Sequence, residues 1–173
     1  KAMIALNEQM NKFPDHYTTN VVKGFYHRLR CRFSVLAQDN DYNDAVKFMA
    51  LGIDQMQDAL DKNMVDPFIN ILYKESLKGL ATFVDTYHDY SLALNYYPDY
   101  IEYCKNNIMY EDALWAIERQ SNIKLLVGRY DEAMDDLYRA ESIAKREELE
   151  KKWISLNLYI SEIYNIQGHS EIA

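Results

Sequence analysis

The chain contains 173 residues, enough for one domain with a substantial core, and it carries a formal net charge of −8. This charge argues against direct nucleic-acid binding by this segment, because neutralising phosphates requires a concentrated basic face. No apolar run approaches the roughly 18 residues that a helix needs to cross a bilayer, so we expect no membrane insertion by this segment.

Glycine and proline are scarce, with five and three residues respectively, and long stretches lack both. This composition indicates an almost entirely helical protein. Apolar residues at helical spacing predict helices near residues 17–38, 43–62, 68–86, 90–105, 110–127, 131–148 and 151–167.

Two features mark the first half of the chain. Asp39-Asn40-Asp41 predicts a turn, since Asn and Asp side chains satisfy local backbone groups. Gly52 lies on the apolar stripe of the helix that follows, where glycine costs helix stability. We therefore predict that another helix approaches closely at Gly52.

Helix boundaries in the second half depend on three observations. Pro98 lies inside a predicted helix, where its missing N–H and its ring predict a bend or a break. Gly128 follows a helical pattern and predicts a left-handed cap at the helix end. Residues 131–167 contain neither Gly nor Pro, so a single long helix is the alternative to a turn near 148–151.

Four short segments resemble one another along the chain. Gly128-Arg129-Tyr130-Asp131-Glu132-Ala133 and Gly168-His169-Ser170-Glu171-Ile172-Ala173 both place Gly five residues before Ala, and weaker copies end at Ala45 and Ala93. The four alanines are separated by 48, 40 and 40 residues. A period of this size indicates stacked helical hairpins, none of which buries its apolar face alone.

These segments resemble the tetratricopeptide repeat family, in which a Gly-x-Tyr-x-x-Ala turn joins two helices and a second Ala follows seven residues later. Gly128, Tyr130, Ala133 and Ala140 match this pattern, and Ser121 supplies the small residue of the first helix. The two upstream copies are degenerate, and the period exceeds the standard of about 34 residues.

The resemblance implies an all-α fold, a right-handed superhelical solenoid of antiparallel helix pairs with a concave wall built from the first helix of each pair. We expect one repeat domain over 1–173, incomplete at both ends and cut from a longer chain. The expected repeat units are 17–62, 68–105, 110–148 and 151–173, with the end of a preceding repeat at 1–13.

The repeat register places a set of polar and aromatic side chains on the expected concave wall. The candidate peptide-binding residues are His27, Arg30, Lys78, Arg119, Asn122, Tyr159 and Asn165. A basic residue recurs in three successive units as Arg30, Lys78 and Arg119, which predicts a positive strip for an acidic or carboxylate-terminated partner. The alternative is that these residues are ordinary solvated charges.

No pattern in the sequence supports catalysis. The four histidines are scattered and no pair has metal-binding spacing, and Ser or Cys nucleophile signatures and phosphate-cradling glycine loops are absent. Cys31 and Cys104 are interpreted as small buried hydrophobes. We predict no enzyme activity, no cofactor and no metal.

The sequence thus predicts a non-catalytic protein- or peptide-binding module. The resemblance implies the recognition or sensory part of a larger regulatory protein, similar to the repeat regions of bacterial signalling regulators. The alternative is a structural scaffold that forms homo-oligomers, since a truncated solenoid exposes unstacked apolar end faces. The cysteines do not settle the compartment, and a cytoplasmic location is slightly favoured over an extracytoplasmic one.

Overall fold

The computed structural model describes residues 11–12, 16–32, 40–62 and 68–166. The described residues include seven α-helices and no β-strand, which confirms the predicted all-α class. The helices are α1 (Tyr17–Arg32), α2 (Asp41–Asp61), α3 (Ile69–Thr86), α4 (Tyr90–Asn106), α5 (Tyr110–Leu126), α6 (Tyr130–Arg146) and α7 (Glu150–Ile166).

The chain divides into two compact units, residues 1–87 and 88–173. In the first unit α1 packs against α2 and α2 against α3. In the second unit α4 packs against α5, α5 against α6, and α6 against α7. In both units, therefore, helices that follow one another in the chain also pack together, as in helical hairpins.

Two glycines allow α1 and α2 to approach closely in the first unit. A Cβ atom added at Gly24 would lie 2.8 Å from the backbone nitrogen of Met49, and one added at Gly52 would lie 2.8 Å from Cγ2 of Val21. Neither position has room for a side chain unless the neighbouring helix shifts. The close approach predicted at Gly52 is confirmed.

Three turns of one type join the helices of the second unit. The central residues Ile108, Gly128 and Glu148 have left-handed backbones with φ of 59°, 80° and 57°. In the first turn the N–H of Ile108 donates to the Lys105 carbonyl at 3.2 Å and that of Met109 to the Cys104 carbonyl at 2.8 Å. The other two turns repeat this pair of hydrogen bonds, which defines a Schellman cap.

The turns give the second unit a regular period. Helices α4, α5 and α6 contain 17 residues each, and the left-handed position recurs every 20 residues. The left-handed cap predicted at Gly128 is confirmed, whereas Gly168 lies outside the described residues. The chain turns at Glu147–Leu149, so the alternative of one helix over 131–167 is wrong.

Pro98 does not break its helix. α4 runs from Tyr90 to Asn106 as one helix with Pro98 inside it, so the predicted break is wrong, and the alternative of a bend stays a prediction. Tyr97 and Tyr100 on either side are fully buried, and both contact the ring of Trp115 with centroids 6.2 and 6.4 Å apart. Burying each ring contributes about 1.5–3 kcal/mol, which offsets the roughly 3 kcal/mol that an internal proline costs.

Candidate binding groove between α5 and α7

Two of the predicted binding residues, His27 and Arg30, contact α2. His27 Nδ1 lies 2.7 Å from Oδ1 of Asp41, and Arg30 Nε donates to Oδ1 and Oδ2 at 3.2 and 2.9 Å. Asp41 is the first residue of α2 and is 2% exposed. The hydrogen bond to Asp41, followed by that to Tyr26, raises the pKa of Arg30 above its ordinary value.

This cluster neutralises a buried carboxylate and ties α1 to α2. His27 and Arg30 are therefore already engaged in holding the first unit together. Lys78 is half-buried on α3 of the same unit, whereas Arg119 belongs to the second unit. The strip formed by Arg30, Lys78 and Arg119 spans both units and stays a prediction.

Two predicted binding residues of the second unit, Asn122 on α5 and Tyr159 on α7, form a hydrogen bond with each other. The hydroxyl group of Tyr159 on α7 donates a hydrogen bond to Oδ1 of Asn122 on α5. Burial raises the pKa of Tyr159, and the negative charges of Glu162 and Glu118 raise it further. The phenol therefore stays protonated and keeps its role as a donor. Arg119 and Asn165 are exposed on the same two helices.

Asn122 and Tyr159 lie in a groove between α5 and α7 with a volume of about 510 Å³. This volume is in the range of about 300–1,000 Å³ that is typical of ligand sites. The lining residues are Glu118 and Asn122 from α5 and Lys151, Ile154, Ser155, Leu158, Tyr159 and Glu162 from α7. We call this site the α5–α7 groove.

The α5–α7 groove combines apolar surface with hydrogen-bonding groups. Ile154 and Leu158 are 46% and 67% exposed. Across the groove Lys152 Nζ donates to Oε2 of Glu118 at 3.2 Å, so one of its carboxylates already has a cationic partner. The groove therefore offers apolar side chains beside amide, phenol and carboxylate groups.

Of the eight lining residues, the candidate binding residues predicted from the sequence include Asn122 and Tyr159. Lys151, Ile154, Ser155 and Leu158 follow one another at i, i+3, i+4 and i+7, which is the spacing of a single helix face. The projected register placed only later residues of α7 on the wall, beginning at Tyr159. Extending the same face one or two turns towards the start of α7 finds the missing residues.

Among the described residues, no group of three or more His, Cys, Asp or Glu side chains is arranged to hold a metal ion. In the same part of the chain, no helix has the length and apolar character needed to cross a membrane.

No family model matches the chain, and no curated protein or solved structure is significantly similar to it. The resemblance to the tetratricopeptide repeat family therefore depends entirely on the sequence pattern around residues such as Gly128, Tyr130 and Ala133.

Proposed function

We propose that this chain is a non-catalytic helical-repeat module that binds a segment of another protein in the α5–α7 groove. The observation that carries the proposal is the pair Ile154 and Leu158, two exposed aliphatic side chains one helical turn apart beside the polar Asn122–Tyr159 pair. Apolar anchors next to orienting polar groups are the usual composition of a protein-recognition site.

The proposed arrangement of the whole chain is a solenoid of the tetratricopeptide type. The 40-residue spacing of two helices and two turns in the second unit and the packing of consecutive helices support this arrangement. In such an array α5 and α7 are the first helices of adjacent pairs, and α6 packs against both. The groove between them is then part of the concave wall.

Binding is a better proposal than catalysis because of the composition of the groove. Ser155 is the one serine or threonine that lines the groove, and the other described lining residues include no His or Cys. Among the described residues Ser155 forms no hydrogen bond to the carboxylates or the lysine of the groove, and a serine without such a partner is a weak nucleophile. The proposal also includes what the sequence pattern implies, that this module is the recognition or sensory part of a larger regulatory protein.

A peptide selection tests the proposal. The chain would be immobilised and used to select binders from a random peptide library displayed on phage, and the selected peptides would be titrated by fluorescence polarisation. Leu158→Glu places a charge on the apolar part of the groove, and we expect an affinity loss of at least about tenfold. Leu158 is 67% exposed, so the substitution leaves folding unaffected.

Ile71→Glu is the matched control, since Ile71 is 59% exposed on α3 of the other unit. It should leave peptide affinity unchanged. Failure to select any peptide, or an equal loss in both variants, would contradict the proposal.

Self-association is the second candidate, and the same exposed Ile154 and Leu158 favour it. An apolar patch of this kind can bind a second copy of the chain as well as a segment of another protein. Light scattering over a concentration series separates the two functions. Concentration-dependent dimers that Leu158→Glu abolishes would favour the scaffold, whereas a monomer that binds peptide favours the recognition module.

A further inference from the structure

The first unit contains a second groove, which lies between α1 and α3 and has a volume of about 710 Å³. Its lining residues are Phe25, Arg28, Leu29 and Arg32 from α1, Phe83 and Thr86 from α3, and Tyr87 directly after α3. We call it the arginine groove. The four residues of α1 are spaced i, i+3, i+4 and i+7 and so share one helix face.

Gly79 of α3 makes room for Arg28 in this groove. A Cβ atom added at Gly79 would lie 3.0 Å from Nη1 of Arg28 and 3.9 Å from Cε1 of Phe25. The guanidinium group therefore occupies the space that a side chain on α3 would otherwise take. It also lies over the Phe25 ring, with Cζ 5.8 Å from the ring centroid.

Among the residues that the structure describes, the two arginines of the groove have no acidic partner. Across the residues that the structure describes, neither Arg28 nor Arg32 forms an ion pair, and the lining contains no Asp or Glu. Burial lowers the pKa of Arg28, and the positive charge of Arg32 lowers it further. A partly buried cation beside a second cation is unfavourable without a counter-anion, since arginine stays charged at any accessible pH.

The remaining wall is aromatic. Phe83 is 4% exposed and packs against Tyr87 with ring centroids 4.9 Å apart, whereas Tyr87 is 43% exposed and offers its ring to an occupant. An occupant that satisfies this groove therefore needs two negative charges for the guanidinium groups and a flat apolar part for the rings. A single carboxylate supplies only one of the two charges, whereas a phosphate monoester carries about −1.5 to −2 at neutral pH.

We propose that the arginine groove binds a phosphate monoester of an aromatic alcohol, with the phosphate between Arg28 and Arg32 and the ring against Tyr87. This site is separate from the α5–α7 groove and does not depend on the proposed function. The same chemistry occurs in a free aryl phosphate and in a phosphotyrosine side chain of a protein segment.

Calorimetric titration of the purified chain tests the proposal with defined probes. Phenyl phosphate is expected to bind at least about tenfold more tightly than inorganic phosphate, which has the charge without the ring, and more tightly than phenol, which has the ring without the charge. A short phosphotyrosine peptide and its unphosphorylated form make up the second arm. Tighter binding of the phosphopeptide than of phenyl phosphate identifies a protein segment as the source, and equal binding identifies a free small molecule.

Three variants locate the binding. Arg28→Gln and Arg32→Gln should each weaken phenyl phosphate binding at least about tenfold, the effect of losing charge-assisted hydrogen bonds. Arg139→Gln makes the same change on α6 of the other unit, where the side chain is 75% exposed, and should have no effect.

A stability measurement separates a binding role of Arg28 from a structural one. Because no acidic residue in the described part of the chain pairs with its charge, Arg28→Gln should leave the melting temperature of the chain unchanged or raise it, while binding is lost. A lower melting temperature would show that Arg28 holds the fold and would overturn the proposal. So would the absence of binding to phenyl phosphate and the phosphopeptide, or binding that Arg28→Gln and Arg32→Gln leave unchanged.

Discussion

The arginine groove and the α5–α7 groove have the same construction and opposite chemistry. Each lies between two helices that are separated in the chain by one other helix, which packs against both. Among the residues that the structure describes, the arginine groove carries two cations and three aromatic rings and no carboxylate. The α5–α7 groove carries two carboxylates, one lysine, an amide and two exposed aliphatic side chains.

The comparison shows that the helix arrangement creates a groove and the side chains decide what it accepts. Arg28 and Arg32 create an excess of positive charge in a chain whose net charge is −8. Glu118, in contrast, is already neutralised by Lys152. Ligand preference therefore belongs to each site and cannot be read from the fold or the overall charge.

The scaffolds beneath the two grooves also differ. In the first unit α1 and α2 are joined by the buried Asp41 and by the close approach at Gly24 and Gly52. In the second unit the helices meet through buried alanines and are linked by three Schellman caps. The predictions that follow test this difference, from the largest expected effect to the smallest.

Asp41→Ala should destabilise the scaffold of the arginine groove most. The substitution leaves His27 and Arg30 without their shared acceptor, and breaking a buried ion pair costs about 3 kcal/mol. Urea unfolding followed by circular dichroism measures the loss. Asp58→Ala is the control, because Asp58 is 62% exposed in its pair with Lys62, and it should cost less than about 0.5 kcal/mol. Equal losses in the two variants would mean that the Asp41 cluster contributes no more than a surface pair.

Ala140→Leu should destabilise the scaffold of the α5–α7 groove by overpacking. Ala140 on α6 is fully buried, and the extra methyl and methylene groups should cost about 1–3 kcal/mol. Both tryptophans of the chain, Trp115 and Trp153, lie in the second unit, so thermal unfolding monitored by tryptophan fluorescence reports on it. Arg139→Leu adds an apolar side chain at the exposed neighbouring position and should have little effect. A stable Ala140→Leu variant would show that α6 tolerates larger residues at its contacts.

Glycine should be favoured over a larger residue at the left-handed position of both turns that flank α5, so adding and removing glycine should have opposite effects on stability. Ile108 adopts the left-handed conformation although it is β-branched and 75% exposed, so Ile108→Gly should stabilise the chain by about 1 kcal/mol. Gly128 adopts the same conformation with no atom within 4 Å of an added Cβ, so Gly128→Ala should destabilise it by about 1 kcal/mol through the backbone alone. Fluorescence-detected unfolding of both variants provides the test. Changes of the same sign would show that the left-handed positions do not control turn stability.

Helix positions were largely predictable from the sequence, because apolar residues recur with the helical period and short polar segments separate them. The cap at Gly128 was also predictable, since glycine favours a positive φ. Ile108 and Glu148 occupy equivalent positions without that signal. Only the 20-residue period, visible once the helix lengths are known, reveals them as caps.

The functional face of α1 was not predictable with the same reliability. Successive residues on a helix are rotated by about 100°, so an error of one position moves a side chain from the groove to a packed interface. The repeat register for α1 depended on the degenerate first copy and selected His27 and Arg30, which contact Asp41. Arg28 and Arg32 lie on the face that borders α3. The sequence around Asp41 did not indicate that it pairs with His27 and Arg30, because these two residues lie on another helix.

The most direct test of the central claim, that the two grooves recognise different ligands, is a crossed titration of two variants with two probes. Phenyl phosphate and a peptide selected on the parent chain would each be titrated into Arg28→Gln and Leu158→Glu. Arg28→Gln should lose at least about tenfold in affinity for phenyl phosphate and retain the peptide, and Leu158→Glu should show the reverse. The claim would be contradicted if one variant lost affinity for both ligands, or if both variants bound both ligands as the parent chain does.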